Sequence, residues 1–276
     1  MPEMPEVETV RRGLIDLVKN KTISSIEMRY PAIINGDKKE FSDILVGAKI
    51  IDIRRRAKFL IFDFDNNYSM LSHLRMEGKY QVRDNVEDFD KHVHIIFKFS
   101  DGDMLGYRDV RKFGRMQLFK TDEIFNSKSL TKLGPEPLST EFTFDNIYPR
   151  IIKRKKSIKA VLLDQNVISG LGNIYVDEVL WMSKIHPETI ANKLTKADIQ
   201  NIIKASNEEI KKAIEAGGTT IRSYVDSKGN SGTFQFGLNA YDQEGNPCKR
   251  CGTTIEKIKV SGRGTHFCPN CQKVVE

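Results

Sequence analysis

The chain predicts an α+β protein in two parts with a metal-binding tail, and three observations carry that prediction. Through roughly the first 130 residues, short runs rich in β-branched and aromatic side chains alternate with Asn, Asp and Gly. Beyond a Gly-Pro pair at 134–135 the apolar spacing becomes helical. All four cysteines lie in the last 29 of 276 residues.

The first element reads as a helix, because Val7, Val10, Leu14, Leu17 and Val18 recur at helical spacing behind Pro5 and the acidic turn Glu6-Val7-Glu8. Strand-like runs follow at Ile23–Tyr30, Lys49–Arg54, Phe59–Phe64, Tyr68–Leu74, Val93–Phe99, Met104–Arg108 and Met116–Phe119. A domain over 1–132 is therefore a helix with a β-sandwich or barrel. The breaker cluster Leu133-Gly-Pro-Glu-Pro-Leu138 reads as a linker over 133–140. A second domain, 141–238, carries helical stripes at Ile147–Leu163, Asn173–Met182, Lys196–Ala216 and Thr220–Val225, and the Gly- and Ser-rich run Ser227–Gly237 reads as a loop. The cysteine segment, 239–276, closes the chain.

A content of 39% hydrophobic and 29% charged residues is ordinary for a soluble globular protein, and the length suffices for two modest cores. No stretch approaches the roughly 18 uncharged apolar residues of a membrane helix. The N-terminus, with Glu3, Glu6 and Glu8, is no secretory signal, so a cytoplasmic protein without a membrane partner is expected. The net charge of +7 suits a polyanionic partner but says nothing about fold.

Cys248-x-x-Cys251, sixteen residues, then Cys268-x-x-Cys271 falls within four-cysteine zinc spacing. Each knuckle supplies two thiolates from one tight turn, and four cysteines leave no open position, which makes one Zn2+ structural. Unrelated reduced thiols or redox pairs are the alternative. The segment is too short for a core of its own, so metal would supply most of its folding energy, about 10–16 kcal/mol in zinc-finger peptides. Its inserted loop, 257–266, is basic, as a finger gripping phosphate would be.

Pro2 follows the initiator, so trimming of Met1 would expose a secondary amine able to attack a sugar C1′ and form an iminium. Glu3 and Glu6, three apart, would sit on one side of the helix start to move protons. The bland alternative is that Pro and Glu simply favour a first helical turn.

The whole chain resembles the formamidopyrimidine-DNA glycosylase family. The likeness runs through Pro2-Glu-Met-Pro-Glu-Val-Glu8, Arg55-Arg-Ala-Lys58, Ser72-His-Leu-Arg-Met-Glu-Gly78, Asp109-Val-Arg-Lys-Phe-Gly114, Gly170-Leu-Gly-Asn-Ile-Tyr-Val-Asp-Glu178 and the terminal cysteines. The resemblance implies a two-sheet β-sandwich behind the first helix, a helix-two-turns-helix domain and a zinc finger. It implies a monomer that removes 8-oxoguanine and formamidopyrimidines from double-stranded DNA in the nucleoid. It would then cut the abasic strand by β,δ-elimination.

By the same resemblance Pro2 is the Schiff-base nucleophile, Glu3 protonates the sugar ring oxygen, Glu6 supports it, and Lys58 serves proton transfer or a phosphate. Arg263 binds phosphate; as an arginine hardly gives up a proton, clamping is its larger job. Met76, Arg111 and Phe113 would fill the hole left by the flipped nucleotide, offsetting part of a cost of a few kcal/mol. Taken without the resemblance, Met76 and Phe113 would be core residues. Asn173 would sit at a helix N-terminus that favours phosphate. Arg154, Lys159, His73 and His92 would touch DNA or lie beside it, and the basic run 153–156 would otherwise be a solvated helix face. His92 and His94 form no metal pair, lacking a third ligand. Residues 217–237 match a lid over the flipped purine.

Ala57 stands where the family has glycine, Met4 where it has leucine, and Val110 where proline is common, which loosens the backbone at Arg111. Three rivals remain at this point: the endonuclease VIII-like branch that prefers oxidised pyrimidines, a non-catalytic damage-binding relative, and a zinc-ribbon RNA- or ribosome-associated protein.

Overall fold

In a computed structural model that describes residues 1–219 and 237–274, the chain divides into two compact units. The first holds residues 1–131 with 217–219, and the second holds 132–216 with 237–274. The helix expected at Thr220–Val225 and nearly all of the loop expected at Ser227–Gly237 lie outside the described residues.

The first unit begins with helix α1 (Met4–Val18), whose buried Val7, Val10, Leu14 and Val18 enter the main core. Two sheets follow. One orders β1 (Ile23–Met28), β7 (Val93–Phe99), β8 (Met104–Arg108) and β6 (Lys79–Arg83). The other orders β2 (Ile34–Asn35), β9 (Arg115–Lys120), β5 (Tyr68–His73), β4 (Phe59–Phe64) and β3 (Ile50–Arg56). Pairing is antiparallel except for the short β2–β9 contact. The sheets share one core, in which Phe62 meets Tyr80 at 5.3 Å between ring centroids and Tyr80 meets Tyr107 at 5.2 Å. The Tyr80 hydroxyl lies 2.7 Å from Ser72 Oγ, so the buried phenol has a partner between the sheets. This is the β-sandwich of the two alternatives the strand pattern allowed.

In the first unit two strands and one α-helix escaped the sequence pattern, β2, β6 and helix α2 (Lys38–Leu45). Helix α2 buries only Phe41 and Leu45, one turn apart, and owes its start to Asp37, whose carboxylate accepts the Glu40 N–H at 2.8 Å.

The second unit is helical. The single stripe expected over Ile147–Leu163 is two helices, α3 (Phe144–Ile152) and α4 (Ile158–Leu163). Between them the basic run 153–156 is exposed and leaves the helical path. The chain there bonds sideways instead: Ala191 N–H donates to Lys156 O at 2.9 Å and Ile158 N–H to Thr189 O at 2.8 Å. Helices α5 (Asn173–Ser183) and α6 (Lys196–Glu215) follow their expected spans closely. The linker segment is no free tether. Gly134 and Pro135 are buried, and Gly134 N–H donates to Gln165 O and Ser169 N–H to Pro135 O.

The tail is a hairpin of β10 (Glu256–Val260) and β11 (Arg263–Phe267) between the two cysteine knuckles. Its two-residue turn puts Ser261 at φ 49° and Gly262 at φ 78°, the doubly left-handed geometry that matches strand twist. Arg263 leaves that turn exposed. Among the described residues no helix is long and apolar enough to cross a membrane.

Candidate active site

The start of α1 is where the two readings of Pro2, Glu3 and Glu6 merge, because the helix cap is made from the candidate catalytic residues. Glu3 occupies the cap position and its N–H donates to Glu6 Oε2 at 2.8 Å. The second Glu6 oxygen accepts from Thr219 N–H at 2.9 Å and from its hydroxyl at 3.0 Å. Glu3 and Glu6 are 2% and 3% exposed, and Pro2 is buried beside them. Glu6 is thus held at both oxygens. The chain reaches it through Gly217 and Gly218, both at positive φ; a Cβ on Gly218 would come within 2.9 Å of Glu6 Oε1. Thr219 carried no signal in the sequence, since its partner lies 213 residues away.

Lys58 sits in the β3–β4 turn and is buried. Glu8, one turn along α1, ties that turn to the helix. Its carboxylate takes Arg11, Arg12 and Arg55, the last at 3.1 Å, and Arg55 Nη1 also donates to Ala57 O at 3.0 Å. Burial opposes Glu8 ionisation, but the hydrogen bonds and charges of Arg11, Arg55 and Arg12 outweigh it and hold its pKa at about 2. Ala57, in place of the family's glycine, adopts φ 51°.

Strand register gathers the remaining first-unit residues at one end of the sandwich. Phe59 pairs with His73, and His73 with Arg115, so the turn bearing Lys58, the segment 73–76 and the loop 109–114 share an edge of one sheet. In the other sheet Arg108 pairs with Val93, which brings His92 alongside; His92 O accepts the Asp109 N–H at 3.0 Å. His92 is half-buried and His94 is buried, with Nε2 on Asp109 O at 2.8 Å, so the two histidines form no metal pair.

His73 is neutral at physiological pH. Burial first, then the charges of Arg75 and Lys58, lower its pKa to about 3. Nδ1 accepts the Arg75 N–H at 2.9 Å, which leaves the proton on Nε2 as a donor. Its ring stands edge-on to Phe59 at 4.5 Å.

Met76 and Phe113 are 37% and 47% exposed, so the core reading of these two fails. The Arg111 guanidinium lies over the Phe113 ring at 4.6 Å. The loop carrying both is organised by Asp109, fully buried, whose carboxylate accepts Arg111 N–H at 3.1 Å and Gly114 N–H at 2.7 Å. An Asp bonding the amide two residues on is a turn signal legible in principle from Asp109-x-Arg111.

In the second unit Asn173 is the first residue of α5, as expected, and its Nδ2 donates to Gly264 O at 2.9 Å, next to Arg263. Arg154 is exposed. Lys159 is a correction. Grouped with the basic surface run, it is instead fully buried, 2.6 Å from Asp177 Oδ1 and 3.1 Å from Gly264 O. One residue inside α4, its side chain turns into the core, where it cannot meet a solvent-facing phosphate. The other Asp177 oxygen accepts the His266 N–H at 2.9 Å, so the pair braces the strand just after Arg263, at Gly264 and His266.

The sulfurs of Cys248, Cys251, Cys268 and Cys271 all lie within 4.8 Å of one another. A zinc tetrahedron with bonds of about 2.3 Å has edges of about 3.8 Å, so the four thiolates suit the ion. They hold one structural Zn2+, and the paired-thiol alternatives fall away.

A sandwich with a buried carboxylate pair at its first helix, followed by a helical unit closed by a zinc finger, defines a DNA-processing enzyme of the glycosylase type. Family models match along the chain: the formamidopyrimidine-DNA glycosylase N-terminal domain over residues 1–116, the formamidopyrimidine-DNA glycosylase H2TH domain over 133–225, and the zinc finger found in FPG and IleRS over 245–274. The formamidopyrimidine-DNA glycosylase of Ligilactobacillus salivarius is 54% identical over 99% of each chain. Lactococcus lactis Fpg (MutM), solved with N7-benzyl-Fapy-dG DNA, aligns at a TM-score of 0.92 and 44% identity, covering 99% of this chain and all of that one. MutM solved with carbocyclic 8-oxo-G DNA aligns at 0.92 and 45% identity, with the same coverage. The chain belongs to the formamidopyrimidine-DNA glycosylase family, DNA-repair enzymes that combine glycosylase and AP lyase activity.

Proposed function

We propose that this enzyme excises 8-oxoguanine and formamidopyrimidines from duplex DNA as a monomer and cuts the strand by β,δ-elimination through an imine on Pro2. The observation that carries this reading is the cap of α1, where Glu3 and Glu6 lie buried beside Pro2 and Glu6 is held at both oxygens.

With Met1 removed, the Pro2 amine attacks C1′, and the damaged base leaves with the electrons of its C1′–N bond and takes up the amine's proton. Glu3 protonates the ring oxygen as the C1′–O4′ bond opens to leave the iminium. The resulting iminium acidifies the C2′ proton; its removal expels the 3′ phosphate, and a second elimination expels the 5′ phosphate. Lys58, fixed to α1 through Arg55 and Glu8, serves these proton transfers or the adjacent phosphate. Met76, Arg111 and Phe113 fill the vacated stack; His73, His92, Asn173, Arg154 and Arg263 serve the DNA backbone. MutM bound to 8-oxo-G DNA supports the substrate assignment by likeness.

Borohydride added to the Met1-trimmed protein with an 8-oxoguanine:cytosine duplex should trap a covalent adduct at Pro2. Protein confirmed to begin at Pro2 that gives no adduct with this duplex, but does so with thymine glycol, would transfer the reading to oxidised pyrimidines.

A further inference from the structure

The chain contains one tryptophan, and it stands against the metal centre. Trp181, in the last turns of α5, points its indole Nε1–H at Cys248 Sγ, 3.4 Å away. The zinc-finger core of Cys248, Ile255 and Cys268 packs directly against its ring. Arg250, inside the first cysteine knuckle, lays its guanidinium over the same ring at 4.1 Å, and its Nη2 donates to Trp181 O at 3.1 Å. One residue of α5 is therefore gripped by the knuckle from two sides.

We propose that Trp181 is a positioning residue for the zinc centre: its N–H donates to the Cys248 thiolate and joins metal retention to helix α5.

The chemistry follows from the charge at the site. Four thiolates around one divalent ion carry a net charge of about −2, in a site where Cys248 and Cys268 are almost wholly buried. A metal-bound thiolate has no proton to give, so the hydrogen bond can only run from indole to sulfur. It withdraws charge from Cys248, and the guanidinium stacked on the indole adds a compensating cation within reach of the cluster. Groups that bond to metal ligands from outside the coordination sphere change metal affinity by about 10–100-fold when removed. The link also has a direction within the fold. Asn173 opens the same helix whose last turn holds Trp181, and Asp177 lies one turn before Trp181, so metal loss at Cys248 is felt by the helix that braces Gly264 and His266, next to Arg263.

The test uses the zinc-loaded full chain. A chromophoric chelator reads released zinc while tryptophan emission is followed with excitation at the red edge, where tyrosine is silent. In the unaltered protein the emission should change in step with zinc release, because the thiolate next to the indole is freed. W181F should release zinc about 10-fold faster or more. Because the chain has a single tryptophan, wholesale replacement by benzothienylalanine alters this position alone; it keeps the bicyclic shape, removes the N–H, and should also accelerate release. Emission that stays constant while zinc leaves would overturn the proposal, as would a benzothienylalanine protein that holds zinc as long as the parent does.

Discussion

The Lys159 ammonium lies 2.6 Å from the Asp177 carboxylate, and neither side chain has exposed surface. Asp177 turns its second oxygen to the His266 N–H, and Lys159 turns to Gly264 O, so one ion pair fixes the strand that follows Arg263. Breaking a buried pair on one side leaves an uncompensated charge, which costs about 3–5 kcal/mol. K159M should therefore lower unfolding free energy by about that much in denaturant titration. K159R should cost less, since it keeps the charge. A K159M protein with unchanged stability but weaker DNA binding would restore the surface-phosphate role that burial argues against.

Acid should act on the first unit through two groups of the same sign. Glu8 has a folded pKa of about 2 against an ordinary 4.5, and His73 about 3 against 6.5. Both are depressed, so the unfolded chain takes up protons first and stability falls as pH is lowered. The His73 contribution is intact above 6.5 and is lost by about 3; that of Glu8 is intact above 4.5 and is lost by about 2. E8Q should be less stable at neutral pH, because three arginines lose their anion. It should also show a shallower decline below pH 4.5 in unfolding free energy measured across pH. A decline parallel to that of the parent protein would remove Glu8 from the account.

Glu209 has the opposite sign. It is 3% exposed in α6, and among the described residues its Oε1 has no hydrogen-bond partner. Burial first, and then the neighbouring Glu178 carboxylate, raise its pKa to about 8, against smaller pulls from Lys212 and Lys249. The folded state holds this proton longer than the unfolded chain, so stability is present below 4.5 and is lost as pH rises towards 8. Each tenfold gain in proton affinity on folding is worth about 1.4 kcal/mol, which makes the loss a few kcal/mol in order of magnitude. E209Q should remove this alkaline decline in Tm, with the largest gain over the parent at pH 8. Equal slopes in the two proteins would refute the assignment.

Local patterns were legible in the sequence and long-range contacts were not. Helix α1 announced itself through five apolar residues at helical spacing, and the zinc site through two cysteine pairs, because each pattern is local. The split between α3 and α4 was hidden because the apolar stripe runs on through it. Where the helix ends, the backbone bonds instead to residues 189–191, remote in sequence. In the candidate site, Pro2, Glu3 and Glu6 were readable from one segment. Thr219 on Glu6, Asp177 on Lys159 and Arg55 on Glu8 were not, since contacts across tens to hundreds of residues leave no spacing to read. Lys159 was misplaced for the same reason: its sequence neighbours are surface lysines, but its partner arrives from α5.

Phe113 separates stability from function most cleanly. It is 47% exposed, touches the Arg111 guanidinium, and belongs to a loop already fixed by Asp109. Exposed substitutions away from caps and buried networks change stability by less than about 0.5 kcal/mol. F113A should therefore unfold within that margin of the parent protein, yet lose its wedge into the duplex, which offsets part of a flipping cost of a few kcal/mol. A loss of about 1.4–2.8 kcal/mol of that offset lowers kcat/KM by about 10–100-fold. Salt dependence distinguishes this from loss of charge. If about five cations meet phosphates, log affinity falls with log salt at a slope near −4.5. F113A should leave that slope unchanged, whereas R154A should reduce its magnitude by about one, because only the arginine releases a counterion. An F113A protein with normal excision of a lesion duplex would return Phe113 to the status of an ordinary exposed side chain.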